Sequence, residues 1–328
     1  MKKHGEPWAR SWTAATRPDA LRDNRGWLIG GFTAALALGA AAGIAIGTIR
    51  WNRQSAATIA CLYAHEPVTG DVADAQREDL PEPVERYFRF ALTAGQPLVR
   101  HAFIRWSGEL LMFGSSGWRP FSAEQHFYGK PPGYVWDASV RVAPFLPARI
   151  RDSYIDGVGA SEASIVSLVP LKGQHGTREV AEASLMRYLA EAAWLPTALL
   201  PRPGLSWSAI DADTARATLT DRGLSVAVDF RFGTAGEIVS CSADRYRAVG
   251  ADVVLTPWRG TYRDYRRIAG MMVPTAAEVA WVLSGRLTPV WRGQPLDIEY
   301  GFIDNHGPAE NSRRTGRSMP DGTEIIAP

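Results

Sequence analysis

Cysteine is nearly absent from this chain, with only Cys61 and Cys241 among 328 residues. Two thiols exclude a disulfide scaffold and any multi-cysteine zinc site. Cys61 lies in a polar stretch and Cys241 on an apolar strand face, so they read as unlinked thiols, although an oxidising compartment would permit pairing. Lysine is scarce too, at four positions (Lys2, Lys3, Lys130, Lys172). The six histidines are scattered, without an H-E-x-x-H pattern or a close pair. Glu124 and His126 would share one face of a strand, and a solvent-facing pair is the simpler account than a metal site. Gly114-Ser115-Ser116-Gly117 lacks the spacing of a nucleophile elbow. The run from Gly157 to Glu162 lacks the third glycine of a dinucleotide fingerprint. No pattern for a metal or a cofactor is present in the sequence.

Excess charge of one sign is also missing. The net charge is +2, and it is unevenly placed. The first 26 residues hold six basic and three acidic groups, leaving 30 basic and 31 acidic for the rest. A nearly neutral body excludes the electrostatic footprint of a nucleic-acid binder. With 46% hydrophobic residues, global disorder is excluded as well.

What is present is a long apolar run. Trp27 to Ile49 carries no charge across 23 residues. As a helix it would extend about 34 Å, enough for the hydrocarbon layer of a bilayer. Trp27 and Trp51 flank it, where indoles favour the membrane interface. The basic groups before it outnumber those just after it (Arg50, Arg53), which places the N-terminus in the cytoplasm and the main domain outside. A cleaved signal peptide would have a shorter apolar stretch, and a lipoprotein signal ending at Cys61 would place Arg50 and Arg53 between the run and the cysteine, so both are less favoured alternatives to an uncleaved anchor. The expected division is a basic cytoplasmic leader (1–26), an inner-membrane helix (27–49), a juxtamembrane linker (50–79), a β-rich extracytoplasmic domain (80–303) and a disordered tail (304–328). Gly39, Gly43 and Gly47 share one helix face, through which a second copy would approach.

In the exterior part, Val84, Tyr87, Phe88, Ala91 and Leu92 make one apolar stripe after Pro81 and Pro83, which predicts a helix. Thr177 to Trp194 is a second, ended by Pro196. Strands dominate elsewhere. Asp156-Gly157 reads as a hairpin turn between Ile150–Ile155 and Ser164–Leu168, and Asp221-Arg222-Gly223 as another turn. Val239, Cys241 and Ala243 continue an alternating apolar face, as do Val279, Trp281 and Leu283. No β-helix-β alternation recurs, so a parallel doubly wound fold is disfavoured. The expected fold is α+β: a large curved antiparallel sheet or half-barrel, with one or two helices on its inner face, preceded by a single transmembrane helix.

Several stretches carry a family resemblance. They are Trp118-Arg119-Pro120-Phe121-Ser122-Ala123-Glu124-Gln125, Pro131-Pro132-Gly133-Tyr134-Val135-Trp136-Asp137-Ala138, Met186 to Glu191 with Trp194 to Leu200, and Thr256-Pro257-Trp258. Over about residues 80–303 the chain resembles an uncharacterised bacterial family, a domain of unknown function. That resemblance implies no established activity. The expected architecture also looks like the half-barrels of lipoprotein carriers and periplasmic lipid-binding lipoproteins, without a shared motif.

Glu124, Asp137, Arg187, Glu191, Glu278 and Glu299 are charged residues in aromatic or apolar surroundings. They would serve either as acid–base groups or as a structural ion-pair network. Eight exterior tryptophans would line an apolar groove or pack the core. The leading expectation is a membrane-anchored domain binding a lipid-like molecule, lined by Glu124, Trp136, Asp137, Arg187, Glu191, Trp194, Trp258 and Trp281. An envelope hydrolase using Glu124 or Asp137 with Arg187, or a scaffold in an envelope complex, stands as the alternative.

Overall fold

The computed structural model describes residues 22–65, 79–111, 117–143, 146–171, 173–250 and 252–303. The leader's first 21 residues, most of the expected linker beyond residue 65 and the tail lie outside the described residues.

The apolar run is helical, as the need to satisfy its own backbone in lipid predicts. It lies within α1 (Arg22–Tyr63), in which Phe32–Tyr63 is long and apolar enough to cross a membrane. The helix does not stop at Ile49. It continues through Trp51 and Leu62 to Tyr63, where the sequence reading has an irregular linker. Its later residues alternate between exposed and buried because one side, Trp51, Ser55 and Leu62, meets the sheet.

α2 (Glu82–Ala91) follows Pro81 and buries the expected stripe of Val84, Tyr87, Phe88 and Ala91. Then come β1 (Val99–Leu111), β2 (Trp118–Tyr128), β3 (Gly133–Ala143), β4 (Leu146–Ile155) and β5 (Val158–Ile165). Two short strands, β6 (Val169–Pro170) and β7 (Gln174–His175), pair with β5. α3 (Arg178–Glu191) is capped by Thr177, whose side chain accepts from the Val180 amide. Two 3-10 turns, Ala192–Trp194 and Pro196–Leu199, continue it. The chain returns through β8 (Leu205–Ala209), β9 (Thr214–Asp221), β10 (Leu224–Phe232), β11 (Ile238–Val249), β12 (Asp252–Arg263), β13 (Arg266–Ile268), β14 (Met271–Val273), β15 (Ala276–Leu283) and β16 (Arg286–Phe302).

Fourteen of the strands form one antiparallel sheet in the order β6-β5-β4-β3-β2-β1-β16-β15-β12-β11-β10-β9-β8, with β7 beside β5. The long β1–β16 pairing joins two meanders into a curled half-barrel. α3 and its 3-10 turns fill the concave side. Leu185, Tyr188, Leu189, Trp194, Leu195 and Leu199 are buried there with Trp106, Phe127 and Phe230 from the strands. Gly159 permits this packing: a Cβ would stand 2.5 Å from the Val180 carbonyl oxygen. The turn at Asp156-Gly157 is tighter than the sequence reading has it. Both residues have positive φ, and Ile155 pairs directly with Val158, so the partner strand starts at once.

Side chains alternate across the sheet. On β3, Tyr134, Trp136, Ala138 and Val140 face the concave core, while Val135 and Asp137 face out toward α1. That alternation separates two polar sites.

Candidate functional site

The concave site begins on the last turns of α3. Arg187 and Glu191 are four residues apart, so they share a helix face. Arg187 Nε donates to Glu191 Oε1 at 2.7 Å, and Arg187 Nη1 donates to Asp152 Oδ2 at 2.7 Å. Gln125 Nε2 donates to Glu191 Oε2 at 2.7 Å, and Ser161 Oγ donates to Asp152 Oδ1 at 2.6 Å. The guanidinium carbon lies 5.1 Å from the ring centres of both Tyr134 and Trp136. Burial opposes charge on Arg187, but Glu191, Tyr134 and Asp152 outweigh it and hold its pKa above the ordinary value. Two carboxylates, each hydrogen-bonded to a fixed cation, form the structural ion-pair network that the sequence leaves open.

Across α3 from this network lie β11, β12 and β15. The β10–β11 ladder ends at Asp229 and Ser242, and beyond it β11 continues paired with β12. Arg245 and Arg247 follow Cys241 and Ala243 at period two, and so face the same side. Arg245 Nε donates to the Ala183 carbonyl of α3 at 3.0 Å. Its guanidinium stands 5.7 Å from the Trp258 ring centre and 5.9 Å from that of Trp281, residues paired directly across β12 and β15. Arg247 also lies over Trp281, at 5.7 Å. Burial, with Arg187 adding to it, lowers the Arg245 pKa. Among the described residues, no carboxylate lies within 4.0 Å of Arg245 or Arg247. Arg247 Nε and Trp258 Nε1 are buried without a hydrogen-bond partner among them.

The second site is on the convex face, where α1 lands. Trp51 Nε1 donates to Asp137 Oδ2 at 3.0 Å, and Ser55 Oγ donates to the same oxygen. Arg149 Nη2 donates to Asp137 Oδ1 at 2.8 Å, and Arg151 Nη1 to Ser55 Oγ at 2.8 Å. Both guanidiniums lie over the Trp51 indole, at 5.6 and 4.8 Å. Further along, Leu62 packs with Tyr128 and Val135, and the Tyr63 hydroxyl meets His126 Nδ1 at 2.9 Å. Trp51, expected at the membrane interface, is thus buried against the sheet.

Of the eight residues singled out in the sequence, Trp136, Arg187, Glu191, Trp258 and Trp281 face the concave side, Trp136 and Trp258 as buried members of the core. Trp194 faces the same side but lies deep in the core. Its indole donates to the Pro274 carbonyl at 2.8 Å and meets Trp106 edge-on at 4.9 Å. Glu124 is exposed on the convex face, opposite Arg105 and Asp137 in register. Asp137 belongs to the α1 landing site, so the sheet separates it and Glu124 from Arg187. Gln125, Asp152, Ser161, Arg245 and Arg247 escape the sequence reading. For the two arginines the signal was available: the alternation through Cys241 and Ala243, carried two steps further, points them inward.

The glycine face of α1 also has an intrachain use. A Cβ on Gly47 would stand 2.6 Å from the Ser167 carbonyl oxygen, and one on Gly43 would touch Leu168 at 3.6 Å. Gly39 has nothing within 4 Å. Of the three small residues, Gly47 thus lets the turn after β5 approach the helix. Both thiols are free. Cys241 is buried, which pushes its pKa up to about 12, and Tyr262 lies at hydrogen-bond distance, 3.1 Å.

Residues 78–300 match a family of unknown function, DUF6920. The chain belongs to this family. No curated protein matches it. Solved structures similar to it include a LolA-superfamily protein from Nitrosomonas europaea, at 12% identity and a TM-score of 0.33, covering 68% of this chain and 94% of that one. A DUF1329-family protein from Desulfovibrio piger is 10% identical, with a TM-score of 0.37, covering 66% and 91%. Such scores leave ligand and activity to be read from the DUF6920 chain itself.

Proposed function

We propose that this chain is a single-pass membrane protein whose extracytoplasmic half-barrel binds an anionic, lipid-like amphiphile between α3 and the β11–β12–β15 wall. The observation that carries the reading is Arg245: a half-buried cation over two indoles, with Arg247 beside it, Asp152 and Glu191 acting on it only from a distance, and no carboxylate within 4.0 Å among the described residues. A half-buried charge without a close counter-ion carries a desolvation cost that an incoming phosphate or carboxylate would offset. Guanidinium groups suit such anions through paired N–H donors. Trp258 and Trp281 supply the apolar wall that an acyl chain needs.

The anchor and its orientation support the same reading. α1 offers the membrane segment, and the basic leader favours a cytoplasmic N-terminus. A ligand drawn from the adjacent leaflet would have a short path to the groove. The test is native mass spectrometry of the full chain extracted in mild detergent, comparing wild type with Arg245→Gln. Wild type should carry an acyl-bearing anionic molecule that the variant releases. A wild-type protein that stays empty after incubation with anionic lipid overturns the proposal.

A further inference from the structure

By the antiparallel order, the ends of β3, β5, β11 and β15 and the starts of β4, β12 and β16 lie on one side of the sheet, whose far end curls away so that Arg222, after β9, reaches Asp156 of the β4–β5 turn. That side carries several exposed apolar side chains beside exposed Arg141, Asp252 and Arg286. Leu146, the turn residue Leu168 and Val169 of β6 are exposed at its β4–β6 end, Val254 and Leu255 near the start of β12, and Leu287 at the start of β16. On the opposite rim, among the described residues, only Val158 and Ile210 are large exposed apolar side chains. Apolar residues gathered along one edge of a soluble domain mark a contact surface.

α1 says what covers it. The helix leaves the domain past this same rim, with Gly47 against Ser167 and Gly43 against Leu168. Beyond that contact Phe32, Leu36 and Leu38 are exposed. Gly43 lies six residues before Ile49, about 9 Å along the helix axis. A leucine beside Gly43 therefore sits at a depth typical of interfacial insertion, about 5–10 Å below the headgroup boundary. Arg141 and Arg286, exposed near the β3–β4 and β15–β16 turns, stand where guanidinium groups meet lipid phosphate.

We infer that this rim docks on the bilayer, with Leu168, Val169, Val254 and Leu287 inserted and the groove at Arg245 opening toward the lipid surface. The inference rests on α1 being the membrane anchor, but not on any ligand being bound.

The test uses the full chain in vesicles of phosphatidylethanolamine and phosphatidylglycerol. Cys61→Ser removes the exposed thiol, and the buried Cys241 does not react. Single cysteines from Leu168→Cys, Leu287→Cys, Ile210→Cys and Leu38→Cys then carry nitroxide labels, and collision rates with oxygen and a water-soluble nickel chelate report depth. The expected result is oxygen-rich, nickel-poor environments at 38, 168 and 287 and an aqueous one at 210. A lipid signal at 38 with aqueous labels at 168 and 287 overturns the docked rim while leaving the anchor intact. Low collision with both reagents at 168 and 287 overturns it in favour of a second protein copy on the rim. An aqueous label at 38 overturns the anchor and the docking together.

Discussion

Trp51 and Asp137, 86 positions apart, are joined by an indole-to-carboxylate hydrogen bond of 3.0 Å. One end of that bond is on the membrane-type helix and the other on the convex face of β3. The same carboxylate also accepts from Ser55 and Arg149, so a single side chain gathers the helix and a neighbouring strand. The contact ties a helix long enough to cross a bilayer to the half-barrel.

Removing that carboxylate should undock the stalk. Asp137→Ala leaves Arg149 and the Trp51 indole without their acceptor, and a broken, largely buried network of this kind costs about 2–4 kcal/mol. Denaturant unfolding in detergent should show that loss, with faster proteolysis between residues 50 and 63. An unchanged midpoint and cleavage rate would contradict the role.

Arg187→Met should destabilise by about 3–5 kcal/mol, because Asp152 and Glu191 would stay in the groove without their cation. The double variant with Asp152→Asn should recover part of this. A single variant as stable as wild type in chemical melts would show the network to be incidental.

The glycine series on α1 separates an intrachain contact from self-association. Gly47→Ala should lower the melting temperature, since its Cβ would stand 2.6 Å from a backbone oxygen. Gly43→Ala, in ordinary contact at 3.6 Å, should change little, and Gly39→Ala nothing. Equal effects on crosslinked dimer yield at all three positions, with no change in melting, would favour self-association instead.

Acid should loosen the landing site. Burial, then His101, lowers the His126 pKa below the ordinary value of 6.5. The folded state thus binds fewer protons than the unfolded chain. Its contribution is present above about 6.5 and lost as pH falls through the lowered value. His65 acts oppositely: the Leu62 carbonyl and Asp156 raise its pKa, so its half-buried contribution is present at low pH and fades as pH rises. Melting curves from pH 7 to 5 should show wild type losing more stability than His126→Gln. Parallel curves would refute the assignment.

Much of the architecture was legible in the sequence because hydrophobic period reports burial locally. The stripe from Val84 to Leu92 and the alternation from Val226 to Phe232 each needed only a window of a few residues. The site was legible only in part. Asp137 and Arg187 look alike in sequence, charged residues among aromatics, yet pleat parity sends one out and the other sits on a helix within. The extension of α1 was missed because its buried side, Trp51, Ser55 and Leu62, is polar in part and makes its contacts with residues beyond position 125. Sequence distance conceals such pairings. Arg245 lies past the apolar letters of its strand, so hydrophobic alternation alone does not mark it as inward-facing.

The most direct test of the groove is an affinity comparison at fixed chain length. A single-chain anionic phospholipid and its neutral, headgroup-free counterpart would be titrated by calorimetry into the full protein in nanodiscs. Binding through Arg245 and Arg247 predicts at least about a tenfold preference for the anion, or ~1.4 kcal/mol, abolished in Arg245→Gln. Equal affinity for both molecules, unaltered in that variant, would contradict the account.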